Sequence, residues 1–219
     1  MKFTIDPAFA ALGIPLHLGV LDYHVKVEPS CAALGEAIAD AVPLRRDELM
    51  GIAASSDPVI SNVRTAFKLI GKDPSRYRPS SEALTRRIVA GKSLLSINNV
   101  VDAGNLTSLM TGIPIGCYDA AWIKGDLRLN IGTPGETYGG IGLGAINLEG
   151  LAVLGDSDGP FGSPFSDSQR TAVTEKTTDL VLVLYGLNVD VEQVEAAAEI
   201  ADALLTRFCM DPADQNHSA

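Results

Sequence analysis

A run of about 18 apolar residues, enough to span a bilayer, is absent from this chain. The opening MKFTIDPAF also lacks the apolar core of a signal peptide. The expected setting is therefore soluble and cytoplasmic, with no membrane partner. Cysteine is scarce as well: Cys31, Cys117 and Cys209 are an odd count, widely spaced and without a C-x-x-C pair. That pattern excludes a disulfide framework and argues against a structural zinc site, so no metal and no cofactor are expected. Positive charge is in deficit, with a net charge of −10 and basic residues scattered apart from Arg45-Arg46, Lys72 to Arg78 and Arg86-Arg87. A general nucleic-acid coat is excluded, because non-specific affinity comes mostly from neutralising phosphates. Contact with one structured RNA through a local basic patch stays open.

Several familiar site patterns are incomplete. The glycine-rich GIGLG at 140–144 is followed by an apolar strand in place of a helix and has no βαβ surroundings, so it is no dinucleotide loop. Asp156-Ser157-Asp158-Gly159 starts like a calcium loop, but Pro160 follows and the late bidentate glutamate is missing. Ser163 stands in no G-x-S-x-G elbow and has no neighbouring histidine. His17 and His24 lie on predicted strands without a partner at ligand spacing, which is the pattern of ordinary packing or solvent-facing histidines.

What is present is a chain of 219 residues, long enough to bury an ordinary core. The stretch NNVVDAGNLTSLMTGIPIGCYD, 98–119, draws the eye. Val100 and Val101 end an apolar run, Asp102 to Asn105 supply turn and cap chemistry, Leu106 to Met110 begin a short helix, and Gly112 stops it. Ile113, Ile115 and Cys117 then alternate with Pro114, Gly116 and Tyr118, predicting a strand at a sheet edge because of the proline. The expected cradle is strand, turn, helix, strand. In it Asp102 and Asn105 either close a turn or sit at a helix N-terminus that favours an anionic or carbonyl-bearing ligand. A second polar stretch, GPFGSPFSDSQRT at 159–171, offers Ser163, Ser166, Asp167, Ser168, Arg170 and Thr171 to a ligand or to its own backbone.

Around these, alternation predicts strands at Lys2 to Ile5 and Ile14 to Val27, forming a two-stranded start to a sheet. Helices are predicted at Cys31 to Val42, ended by Pro43, at Val59 to Ile70, closed by Gly71, and at Ala83 to Ala90 after a Ser80-Ser81-Glu82 cap. Leu127 to Ile131 and Thr137 to Gly144 read as a hairpin about Thr133-Pro134-Gly135-Glu136, and Ala145 to Leu148 with Leu151 to Leu154 as another. Thr174-Glu175 starts a helical turn, and Leu180 to Leu184 is a central strand. Asn188 to Asp190 cap a last amphipathic helix with Val191, Val194, Ala198, Ala201, Leu205 and Phe208 at steps of three and four, which packs on the body or on a second subunit of a homo-oligomer. The tail 211–219, with His217, reads as disordered. Helical spacing puts Arg64 and Lys68 on one face. With Arg86 and Arg87 they are either solvated helix faces or contacts to an RNA backbone.

The positions Val100, Val101, Asp102, Asn105, Leu109, Gly112, Pro114 and Asp119 carry a resemblance to the B3/B4 module of the phenylalanyl-tRNA synthetase β subunit. Lys124-Gly125-Asp126 to Gly135-Glu136 resembles that module's next hairpin, and Thr174 to Tyr185 its closing strand. Gly159 to Thr171 is similar to a stretch of the free-standing B3/B4 proteins. The resemblance implies a mixed α/β (α+β) B3/B4-like fold: a central, mainly antiparallel sheet flanked by helices, with a C-terminal amphipathic helix. Residues 1–210 are read as one domain, with the resembling region at 77–185, a C-terminal helix at 189–208 and an N-terminal part at 1–76 that is either a separate lobe or the first strands and helices of the same fold.

It also implies an editing site that hydrolyses mischarged aminoacyl-tRNA. By motif position Asn105 matches a pocket asparagine, Gly104 a threonine and Pro114 a pocket-wall proline. The family's pocket histidine falls on Gly116, and the glutamate that reads a tyrosine hydroxyl falls on Val183. Loss of both polar readers argues against tyrosine and for a smaller or apolar aminoacyl group, with Ser163, Ser168, Arg170 and Thr171 supplying polar contacts. The expected activity is a free-standing editing deacylase in which Asn105 holds the substrate and Asp167 is the candidate base, unless a ribose hydroxyl takes the proton. The alternative is a non-catalytic module that binds tRNA or an amino-acid-like ligand; a weaker one is a hydrolase of a small ester or amide.

Overall fold

The computed structural model describes residues 2–210. The tail at 211–219 with His217 lies outside the described residues. The chain forms strands β1 (Phe3–Ile5) and β2 (Leu16–His24) and helices α1 (Ala32–Glu48), α2 (Pro58–Leu69), α3 (Ser80–Val89) and α4 (Asn99–Thr111). Strands β3 (Ile115–Asp119), β4 (Leu127–Ile131), β5 (Thr137–Gly140), β6 (Gly144–Asn147), β7 (Ala152–Asp156), β8 (Gly159–Gly162) and β9 (Asp179–Leu187) follow, and α5 (Val191–Phe208) closes the order. The fold is mixed α+β, with mainly antiparallel sheets flanked by helices.

One sheet has the order β2-β9-β3, all antiparallel. β9 is its middle strand and is buried from Leu180 to Leu187, as its continuous apolar run predicts. β3 lies at the edge, and the carbonyl of Pro114 just before it accepts from Tyr185 N at 2.9 Å, while the proline has no N–H to return the bond, so the ladder ends there. A second sheet has the order β1-β4-β7-β8, with β1 parallel to β4, and β5 pairs with β6 alone.

These pairings correct several expectations. β1 and β2 join different sheets and do not start one together. β4 pairs with β7 in place of β5, and β6 pairs with β5 in place of β7. The turn at 132–136 and the turn at 148–151 therefore connect separate sheets, pinned by Gly132 N to Leu151 O and Leu148 N to Glu136 O. The hairpins form instead around 141–143 and 157–158. α1 does not stop at Pro43, which is exposed, so the ring meets solvent and not packed side chains. Its last turn is held by the buried Arg45, which pairs with Asp57 at 2.6 Å and Glu48 at 2.8 Å.

The largest correction is α4. The predicted strand and turn before Leu106 are helix from Asn99 onward. Asn98 accepts from Val101 N at 2.9 Å as the N-cap, and Gly112, at φ 76°, ends the helix as expected. Val100, Ala103, Leu106 and Leu109 are buried at steps of three, so packing outweighs the poor helix propensity of Val-Val and Gly-Asn. Asn99 ties the helix start to the chain ends, accepting from Glu28 N and donating to Lys26 O and Phe208 O. α5 packs Val194, Ala197, Ala201 and Leu205 inward against the body, whereas Val191 is exposed.

Candidate functional site

α4 and β3 run past one another with almost no gap. A Cβ on Gly104 would stand 2.7 Å from Cys117 Sγ, so only glycine allows this approach. Next to that contact a cleft of about 240 Å³ opens. Gly104 and Asn105 of α4 and Ile115 and Cys117 of β3 line it. Ile97, from the segment before α4, and Ile141, from the turn between β5 and β6, line it too. Both isoleucines are largely exposed, at 61% and 49%. Asp167 joins from the loop after β8, so Asn105 and Asp167 are the polar oxygen-bearing side chains of an otherwise apolar lining. An apolar hollow with few convergent polar groups is the usual form of a small-ligand site.

Asp102 builds the rim and is not itself in the cleft. Its buried carboxylate accepts from Ser30 Oγ (2.6 Å), Ser96 Oγ (2.8 Å) and Ile97 N (2.9 Å), which fastens the segment carrying Ile97 to α4. Asn105 has no such duty: it is half-buried, and its amide has no hydrogen-bond partner among the described residues.

Asp167 is held by the fold and perturbed by it. Its Oδ1 accepts from Tyr118 OH at 2.6 Å and from Ser163 N at 3.4 Å, and its backbone carbonyl accepts from Ile141 N at 2.9 Å. Burial lifts the carboxyl from 3.8 to about 7, against the opposite pull of the Tyr118 hydroxyl and the Ser163 amide. Tyr118 OH also lies 2.5 Å from Tyr185 OH, and burial pushes both phenols well above their ordinary range. Burial likewise pushes up the Cys117 thiol, which is therefore neutral and a poor nucleophile.

The cleft gathers Gly104, Asn105 and Asp167 from the sequence expectations; the other predicted contacts lie outside its lining. Pro114 is buried at the start of β3. Gly116 and Val183 face each other in register between β3 and β9. A Cβ on Gly116 would fall 2.0 Å from Tyr118 OH, so the space a side chain would need is filled by Tyr118. Ser163 Oγ donates to Ser166 O at 2.7 Å and receives Tyr138 OH at 3.0 Å, which makes it the pin of its loop. Ser168 Oγ accepts from Arg170 N at 3.1 Å, and the Thr171 hydroxyl is buried without a partner among the described residues. Arg170 grips Asp156 through two hydrogen bonds, at 3.1 and 2.9 Å, and donates to the carbonyls of Trp122 and Gly159.

The basic residues are also partly committed. Arg64 Nη1 lies 2.6 Å from Glu82 Oε2 and Arg87 Nε donates to Ser93 O, while Arg86 stands 3.7 Å from Glu82 and Lys68 is exposed. Among the described residues no group of three or more His, Cys, Asp or Glu side chains is placed to hold a metal ion, and no helix is long and apolar enough to cross a membrane. Sequence reasoning missed Ile97, Ile141 and the Tyr118 support. The alternation of Ile115 and Cys117 against Gly116 and Tyr118 was the available signal for the last of these.

Comparison with known proteins finds relatives by sequence. The family model described as "B3/4 domain" matches residues 62–210. The phenylalanine–tRNA ligase beta subunit of Paramagnetospirillum magneticum (strain ATCC 700264 / AMB-1) is 32% identical over 91 residues, 41% of this chain and 11% of that protein. The phenylalanine–tRNA ligase beta subunit of Mycoplasma genitalium (strain ATCC 33530 / DSM 19775 / NCTC 10195 / G37) is 26% identical over 135 residues, 61% of this chain and 17% of that protein. The chain thus spans less than a fifth of the length of these curated relatives. A crystal structure of an N-terminal fragment of the phenylalanyl-tRNA synthetase beta-subunit from Pyrococcus horikoshii aligns with a TM-score of 0.45 and 19% identity, covering 53% of this chain and 42% of that one.

Proposed function

The chain belongs to the B3/4 domain family, and from that premise we propose that it hydrolyses the ester bond of a mischarged aminoacyl-tRNA in the cytoplasm, with the aminoacyl group held in the cleft between α4 and β3. The observation that carries this reading is the convergence of Asn105 and Asp167 on one apolar cleft, the first with a free amide and the second with a carboxyl that titrates at about 7. A base poised near the working pH is half deprotonated there and transfers protons efficiently.

In this mechanism the Asn105 amide donates to the ester carbonyl oxygen, fixing it and stabilising the charge that develops on it. Asp167, aimed by Tyr118, takes a proton from a water molecule as the water oxygen bonds to the carbonyl carbon. The C–O bond to the ribose then breaks, the ribose oxygen is protonated, and amino acid and tRNA leave. The cleft has room for a small or apolar side chain. The positions where the resemblance implies polar readers of tyrosine hold Gly116 and Val183, neither of which lines the cleft.

A second reading is a binding module for tRNA or an amino-acid-like ligand. It is favoured by the absence of a free nucleophile at the cleft, since Ser163 is engaged in its own loop and Cys117 is held as a thiol. Substitution separates the two. Asn105→Ala lowers deacylation by more than about tenfold with the fold intact if the site is catalytic, whereas the binding module loses affinity and has no turnover to lose. Unchanged behaviour in both assays would sink both readings.

A further inference from the structure

The chain carries −10 overall, yet eight of its 17 basic residues and two of its 27 acidic ones fall between residues 64 and 92. This stretch, from α2 through α3, is therefore a positive region on an acidic protein. Its organising group is Glu82, buried at 1% exposure. Glu82 Oε2 takes Arg64 Nη1 at 2.6 Å, a contact that neutralises one guanidinium. Two more approach Oε1 without reaching hydrogen-bond distance: Arg78 at 3.6 Å and Arg86 at 3.7 Å. One carboxylate thus faces three guanidiniums, and those of Arg78 and Arg86 stay 37% and 53% exposed. Arg78 Nε is withdrawn from solvent without a hydrogen-bond partner among the described residues, and Arg78 Nη2 donates to Ser75 O at 3.5 Å. A purely structural ion pair needs one arginine. The surplus positive charge on the partly exposed Arg78 and Arg86 suits an anion with several oxygens, which is what forked guanidinium groups bind best.

We propose that Arg78 and Arg86, with Arg64 locked onto Glu82 as their anchor, form a phosphate-binding surface on α2, α3 and the segment between them. For the source of the phosphate, an RNA backbone leading toward the cleft, this rests on the reading given under Proposed function. Two contacts join the positive stretch to the loop that carries Asp167: Ser80 N donates to Pro164 O at 2.8 Å, and the Tyr77 ring meets the Phe165 ring edge-on at 5.3 Å. Tyr77 is in turn covered by the cations of Lys72 and Arg76, 3.8 and 5.6 Å from its centroid. These contacts set the positive stretch against the loop that carries Asp167, so a nucleic-acid strand held on this surface would run past that loop.

The test titrates the full chain with an uncharged acceptor-stem RNA hairpin at several salt concentrations. The double variant Arg78→Gln/Arg86→Gln is expected to bind about tenfold or more weakly and to lose roughly 1.5 from the slope of log K against log salt. The charge-keeping Arg78→Lys/Arg86→Lys is expected to retain most of that slope, which separates lost phosphate contacts from lost fold. Asn105→Ala is expected to keep the full slope, so the cleft and this surface fail independently. Inorganic phosphate is the second arm: heat stabilisation of the wild type and not of the Gln variant, without RNA binding, supports the site with free phosphate as its source. Wild-type slope in the Gln variant, or no response of the wild type to either RNA or phosphate, overturns the proposal.

Discussion

Replacing Asp167 by asparagine removes a titrating group while keeping an oxygen that can accept from Tyr118 OH. The native carboxyl titrates at about 7 against 3.8 in an unstructured chain, because burial disfavours its charge. Between those values the folded state holds a proton that the unfolded state has released. Stability therefore falls as pH rises through this window and levels off above about pH 7. The full linkage is on the order of 4 kcal/mol, and because Asp167 is half-buried and lines an open cleft, solvent screening brings it to roughly 2–4 kcal/mol. Asn does not titrate, so the stability of Asp167→Asn relative to wild type is expected to climb by that amount between about pH 4 and pH 8. Urea denaturation of both proteins across this range, with the slope m unchanged, reads the difference directly. A stability difference that stays flat with pH would refute the argument that burial has raised this carboxyl.

Tyr118→Phe removes the hydroxyl that favours ionised Asp167, and a hydrogen bond to a charged group is worth about 1.5–3 kcal/mol. The acidic limb of any pH–rate profile, where this base becomes protonated, should move to higher pH by roughly one to two units, and an unmoved limb would separate Tyr118 from the reaction. Gly104→Ala places a Cβ 2.7 Å from Cys117 Sγ. It should cost about 1–3 kcal/mol, with Cys117→Ala restoring most of it in a double-mutant cycle read by thermal unfolding. Arg45→Ala leaves the buried Asp57 carboxylate, which also caps α2, without its cation. A loss of about 3–5 kcal/mol is expected in denaturant unfolding, and a loss under about 1 kcal/mol would mean that α1 is held some other way.

Periodicity revealed the parts of the fold that are periodic. β9 was legible because eight consecutive residues from Leu180 to Leu187 are buried, and α5 because its small and apolar residues recur at helical steps. α4 was misread at its start. Val100 and Val101 are β-branched, and Gly104-Asn105 is turn chemistry, so local propensity pointed away from helix. What overrides it is tertiary: Asn98 caps, Asn99 bonds to three distant backbone groups, and Gly104 lets Cys117 approach. Strand pairing was the weakest inference, since alternation predicts that a strand exists and not which neighbour it takes. The turn at 132–136 looks like a hairpin turn but hands the chain from one sheet to another.

The site shows the same division. Asn105 and Asp167 were singled out from residue type and motif, and both line one cleft. The roles of Ser163, Ser168 and Arg170 were not, because a serine or arginine that braces its own loop is indistinguishable in sequence from one that faces a ligand. Their hydrogen bonds to Ser166 O, Arg170 N and Asp156 settle what they touch. The elevated pKa of Asp167 depends on burial beside Tyr118, which lies 49 residues away in the chain.

The most direct measurement is the deacylation of a panel of correctly and incorrectly charged tRNAs by the purified protein, with Asn105→Ala and Asp167→Asn beside it. The account predicts turnover of a mischarged species bearing a small or apolar amino acid, reduced more than about tenfold in both variants. No turnover across a broad panel, or turnover that both variants retain, would contradict it.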